Sequence, residues 1–119
     1  MVKINDSELR FLNLLWEYEP VNSTELVRLC EKHLGWKKST TYTVIRRLAA
    51  RGIVKNENAL VSVLVAREQV QKNETEELID RVYGGSLQMF LASFIGRGKL
   101  SPGEAAELKR LIDSCTEED

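Results

Sequence analysis

Residues 37–65 read KKSTTYTVIRRLAARGIVKNENALVSVLV, a helical pattern that passes at a glycine into a pattern of strands. In the first part Thr41, Val44, Ile45 and Leu48 fall at i, i+3, i+4 and i+7, so one face is apolar and belongs to a core. Thr and Val are mediocre helix formers, so tertiary packing must support this helix. Arg51-Gly52 marks its end, with Gly52 suited to the left-handed position that follows a helix. Beyond it, Ile53 and Val54, a turn at Asn56-Glu57-Asn58, and the run from Leu60 to Val65 predict an antiparallel hairpin.

Upstream lie two short amphipathic segments joined by a tight polar connection. The stretch SELRFLNLLWEYEP has Asp6 or Ser7 as N-cap and stops at Pro20. Leu9, Leu12, Leu15 and Trp16 fall at helical spacing and should form its buried face. In VNSTELVRLCEKHLGW, Asn22 and Glu25 have capping-box spacing and Gly35 marks the end. Leu26, Leu29, Cys30 and Leu34 supply its apolar stripe. Three helices followed by a hairpin describe a winged helix-turn-helix domain. The fold class is therefore mainly α with a small β-hairpin, the winged domain taking residues 1–66.

Residues 67–119 read as helix throughout. Val70, Leu78, Ile79, Val82 and Tyr83 form an intermittent stripe that Gly84-Gly85 ends. SLQMFLASFIGRG places Leu87, Phe90, Leu91, Phe94 and Ile95 on one face. A last helix opens with Ser101, Pro102 at its first position and Glu104 at its third, and carries Leu108, Leu111 and Ile112. A segment of about 50 residues rarely closes a core alone. Pairing with a second copy is the expected solution, since symmetric homodimers are the commonest oligomers. Leu78, Val82, Leu87, Phe90, Leu91, Phe94, Leu108 and Leu111 are the dimerisation candidates.

The 43% hydrophobic and 29% charged composition over 119 residues suits a folded domain. No apolar run approaches the roughly 20 residues needed to span a bilayer. MVKINDSELR also lacks the apolar core of a secretory signal, which leaves the cytoplasm as the expected location. Cys30 and Cys115 are too few and too far apart for a disulfide scaffold. His33 lies three residues from Cys30, but two ligands do not make a structural metal site. Cys30 reads as a small buried hydrophobe and His33 as a surface residue near a helix end. No metal and no cofactor are expected.

The net charge of −1 hides a split. Residues 1–55 hold ten Lys/Arg against six Asp/Glu, net +4, and residues 56–119 hold seven against twelve, net −5. A polyanion suits the first half as a partner. Residues 37–55 concentrate the effect: six basic side chains, four Ser or Thr, and no acid. The bland reading is a solvated helical face, but such faces normally mix signs to gain i,i+4 pairs. A helix in the major groove needs cations and hydroxyls for phosphates and a few residues near its N-terminus for base edges. Lys37 and Lys38 precede or open the helix, where the positive dipole end also favours phosphate. Ser39, Thr40, Tyr42 and Thr43 occupy the first turns, with Thr methyls suited to thymine. Arg46 and Arg47 lie farther along the same side, and Arg51 extends the surface toward the hairpin, whose tip at Glu57 is acidic.

With these residues in view, LNLLWEYEPVNSTELV, GWKKSTTYTVIRRLAARGIV and VYGGSLQMFLASF…KLSPGEAAELKRLI resemble the penicillinase-repressor family (BlaI/MecI/CopY type) over roughly residues 5–114. The resemblance implies a homodimeric transcriptional repressor whose winged domains bind the halves of a palindromic double-stranded DNA operator. The helix from Lys38 would read that DNA, and the C-terminal helices would form the dimer. In the family's β-lactam-responsive branch a membrane sensor leads to cleavage in the dimerisation region. The matching place here is Ser93-Phe94, although members known to be cut carry Asn where this chain has Ser93. The copper-responsive branch binds metal through paired CxC motifs, whereas Cys115 stands alone.

Two other classes compete with this reading. A winged helix that binds protein would not need the acid-free helix, and its binding would lack the steep salt dependence of phosphate contacts. An enzyme would show a nucleophile–base pair, metal-ligand spacing or a phosphate loop, and none is present. A sensor of small molecules would use the apolar tail as a pocket, but Phe and Leu there are more simply a dimer core.

Overall fold

The computed structural model describes residues 3–98 and 100–116 and contains six helices and three short strands in those stretches. Helix α1 (Asp6–Tyr18) begins at Asn5, not at Asp6 or Ser7. Asn5 Oδ1 accepts from Glu8 N–H at 2.8 Å, and Glu8 Oε1 accepts from Asn5 N–H at 3.1 Å. This reciprocal box satisfies two otherwise orphaned donors, which places the cap one residue earlier than Asp6. The buried face is also turned from the expected one. Phe11, Leu12 and Leu15 are fully buried, while Leu9 and Trp16 lie half-buried at its margin. Phe11 takes the centre because its ring stacks on Trp36, centroids 5.8 Å apart. Trp16 instead donates its indole N–H to the Val65 carbonyl and lies under the Arg67 guanidinium.

Strand β1 (Val21–Asn22) follows, a pairing too short to leave a period in the sequence. Asn22 then caps α2 (Ser23–Leu34) by accepting from Thr24 N–H at 2.9 Å. Glu25 does not complete the box its spacing suggests; it pairs with Arg28 at 3.5 Å. Gly35 ends the helix at φ 69°, the left-handed conformation that glycine adopts without steric cost.

Helix α3 (Lys38–Ala50) buries Thr41, Val44, Ile45 and Leu48, the four positions its spacing selects. Gly52, at φ 75°, turns the chain into β2 (Val54–Glu57) and β3 (Leu60–Val63). The hairpin turn sits at Asn58-Ala59, both at positive φ, rather than at Asn56-Glu57-Asn58. Pairing of Val54 with Val63 and of Glu57 with Leu60 sets this register, which puts Asn56 and Glu57 inside the strand. The sheet is antiparallel in the order β1-β3-β2, and Val21, Val54 and Val61 face the helices. This is a winged helix-turn-helix arrangement.

Two compact units divide the chain, Met1–Lys72 and Asn73–Asp119. Helix α4 (Arg67–Tyr83) begins in the first, where Val70 joins the core. The second holds the rest of α4, then α5 (Leu87–Arg97), capped by Ser86, and α6 (Pro102–Cys115). Ser101 and Glu104 form the expected capping box of α6. The Ser101 backbone and hydroxyl donors hold the Glu104 carboxyl below its usual range. Among the described residues, no helix is long and apolar enough to cross a membrane.

Candidate nucleic-acid interface

The core face of α3 fixes what its other face presents. With Thr41, Val44, Ile45 and Leu48 turned inward, Lys38, Ser39, Thr40, Thr43, Arg46 and Arg47 are exposed. Tyr42 is half-buried and packs against the core, so its ring has a structural task as well. Lys37, the N-cap residue, makes no side-chain cap, and the Thr41 N–H bonds back to the Lys37 carbonyl at 3.1 Å. The amides ahead of Thr41 are the orphan donors of the helix end, and two lysines flank them. Such an end attracts an anion through both N–H groups and dipole. Beside it runs an open groove lined by Ser7 from α1, Trp36, Ser39, Thr40, Thr43, Val44 and Arg47.

The six cations of residues 37–55 are not equivalent. Lys37, Lys38 and Arg46 have no carboxylate partner among the described residues, and Arg46 Nη2 donates to Thr43 Oγ1 at 3.3 Å. Arg51 Nη1 donates to Glu8 Oε2 at 2.6 Å, and Arg51 Nη2 donates to the Lys3 carbonyl. Arg47 reaches the same carboxylate oxygen at 3.6 Å while keeping about half of its side chain exposed (54%). Lys55 pairs with Glu57 on the wing at 2.9 Å, and this contact holds the Glu57 carboxyl below its usual range. Both wing side chains are exposed, so solvent screens the pair and it adds little to stability.

Glu8 is the residue that sequence reasoning missed. The acid-free run receives its counter-charge from another helix, 39 and 43 positions away from Arg47 and Arg51. Glu8 is 2% exposed, and its two oxygens serve the Asn5 amide and the two guanidinium groups. The sequence does contain one signal for it, the Asn5-x-x-Glu8 spacing of a capping box.

The Asn73–Asp119 unit has a different chemistry. None of its described side chains is buried. Phe94 is 72% exposed and Leu111 59%; Leu78, Val82, Leu87, Leu91 and Leu108 are exposed too, while Phe90 is half-buried. Tyr83, Phe90 and Phe94 make a short aromatic chain, with centroids 5.6 and 5.9 Å apart, and Tyr83 Oη donates to Ser93 Oγ at 3.2 Å. Phe90, Leu91, Phe94, Ile95, Leu100 and Leu108 line an apolar groove with Glu104 at its edge.

Neither cysteine belongs to a metal cluster among the described residues. Burial pushes the Cys30 thiol up to about 11, opposed in part by a hydrogen bond with Thr41, whereas Cys115 is exposed. Since the thiolate is the reactive form, iodoacetamide at pH 8 should label Cys115 alone in the native protein and both cysteines after unfolding. Intact-mass measurement checks this, and rapid native labelling of Cys30 would contradict the packing around Thr41.

The model of the penicillinase repressor family matches residues 4–114. A penicillinase repressor of Bacillus licheniformis is 24% identical over 116 residues, covering 93% of this chain and 90% of the relative. The methicillin resistance regulatory protein MecI of Staphylococcus aureus is 23% identical over 115 residues, covering 93% and 94%. An uncharacterized protein of Latilactobacillus sakei is 27% identical over 114 residues, covering 92% and 78%.

Proposed function

The chain belongs to the penicillinase repressor family, and on that premise we propose that it is a transcriptional repressor that binds a palindromic operator as a homodimer. The observation that carries the reading is α3 itself: an uncapped, lysine-flanked helix start followed by exposed Ser39, Thr40, Thr43, Arg46 and Arg47. In the major groove this face would set Lys37, Lys38 and Arg46 against phosphates. Ser39, Thr40 and Thr43, in the first two turns, would be within reach of base edges. Tyr42 would support them from the core side. Arg51, bound to Glu8, would steady the helix.

The second copy is supported by the apolar surface of residues 73–119. Side chains such as Phe94 and Leu111 gain burial when two tails pair, at about 25 cal/mol per Å² of apolar surface. Pairing also places two reading helices on one duplex. Cleavage at Ser93-Phe94, after a membrane sensor's signal, belongs to the same proposal, because a cut there would sever α6 and the end of α5 from the reading unit.

Footprinting on the DNA upstream of the protein's own gene tests the reading. The expected result is two protected half-sites whose centres lie about one helical turn, or a multiple of it, apart. Uniform or absent protection would instead favour a winged helix that binds protein.

A further inference from the structure

Glu8 places a buried negative charge directly behind the exposed face of α3. Arg47 and Arg51 are one turn apart, both on the side of α3 turned toward α1, and both meet the same oxygen of Glu8. The two grips differ. Arg51 is held at 2.6 Å and tied by its other nitrogen to the Lys3 carbonyl, so its guanidinium is fixed toward α1. Arg47 is held at 3.6 Å with about half its side chain in solvent, so it is able to face a phosphate while its charge remains partly offset. Arg46, its neighbour, has no such restraint and leans on Thr43.

We propose that Glu8 is a specificity-determining residue, which withholds Arg51 and part of Arg47 from the nucleic-acid backbone. The inference rests on the reading of α3 as the DNA-binding helix and adds to it a reason for the buried carboxylate. Attraction to phosphate supplies essentially all of non-specific binding, whereas specific binding also draws on base contacts. Subtracting phosphate contacts therefore weakens non-specific binding more, in proportion, than it weakens operator binding. Glu8 acts from beneath the surface, through the arginines, and touches no DNA. Because the Glu8 side chain also closes the cap of α1, its replacement must keep a hydrogen-bond acceptor, which glutamine does.

The test measures affinity of the full-length protein for the DNA upstream of its own gene, as operator, and for a scrambled duplex across a range of salt. Glu8→Gln is expected to steepen the log K against log salt slope for scrambled DNA by about 0.9 per protomer for each arginine released. It should also narrow the ratio between operator and scrambled affinities. Glu8→Gln/Arg51→Gln has the parent's net charge and a neutral amide pair in place of the ion pair. It should still steepen the slope, by less than the roughly 0.9 per protomer of a fully released arginine because Glu8 withholds only part of Arg47, and it keeps the question open to test should the single variant not fold. Asp6→Asn, an equal charge change at an exposed position of the same helix, should move the slope less. Slopes equal to the parent's in both Glu8 variants, or a change in Asp6→Asn as large as in Glu8→Gln, would overturn the inference. A parent protein without salt-dependent DNA binding would overturn the functional reading itself, and this inference with it.

Discussion

Phe94→Glu should convert the protein to a monomer and weaken binding to a two-half-site operator by roughly 10²-fold or more. Phe94 is 72% exposed, stacks on Phe90, and lies in a groove with Leu91, Ile95, Leu100 and Leu108. No described side chain in residues 73–119 is buried, so this unit has apolar surface and no core to hold it. In the proposed dimer a carboxylate placed there would meet apolar groups that cannot solvate it. Loss of pairing turns the second half-site contact from an intramolecular event into an independent one, which removes the gain from effective concentration. The reading unit keeps its own core of Phe11, Leu12, Leu15, Leu26, Ile45 and Leu48, so affinity for a single half-site should stay near the parent value. Sedimentation equilibrium together with binding to full and half operators reads both effects. A variant that remains dimeric, or a monomer that binds the full operator as tightly as the parent, would remove the tail from the account.

A second large effect is expected at the helix start. Lys37→Ala/Lys38→Ala/Arg46→Ala removes the cations of residues 37–55 that have no carboxylate partner among the described residues. All three side chains are exposed, and none belongs to the buried set of α3, so the fold should survive. If each holds one phosphate, a dimer loses six contacts, and the salt slope should become shallower by about 5. Affinity at low salt should fall by orders of magnitude, for operator and scrambled DNA alike, because phosphate contacts position without reading sequence. A fall confined to the operator would mean that one of the three, Arg46 above all, reads a base. An unchanged slope would mean that α3 does not meet the backbone.

The sequence made some elements plain and hid others for identifiable reasons. The face of α3 was legible because four apolar positions repeat at helical spacing over two turns and a glycine closes the helix. Its packing was then forced, since only one side could enter the core. The start of α1 was legible only to within a residue. Asn5, Asp6 and Ser7 are all good caps, and the choice among them rests on the reciprocal bond to Glu8. The hairpin turn was displaced by two residues because Asn56 and Glu57 look like turn residues, yet the pairing of Val54 with Val63 draws them into the strand. Strand β1 had no sequence signature, since a two-residue pairing owes its existence to β3 beside it.

The candidate site divides the same way. Lys37, Lys38, Ser39, Thr40, Thr43 and Arg46 share one exposed face, as spacing alone requires. The lack of acids along residues 37–55 does not leave every cation there unpaired, because charge is neutralised in space and not in sequence. Glu8 comes from a helix more than thirty residues earlier, and the core that Phe11 and Ile45 share is what brings it beneath Arg47 and Arg51. Tyr42 lies at the margin of the exposed face, half-buried and packed against the core.

Affinity for the DNA upstream of the protein's own gene, measured at two salt concentrations with the mass of the complex determined alongside, decides whether the chain is a dimeric DNA-binding repressor. The expected result is a dimer on one duplex, binding that DNA more tightly than a scrambled sequence and weakening steeply as salt rises. A well-folded dimer that binds neither duplex, or binds both with no response to salt, would contradict it.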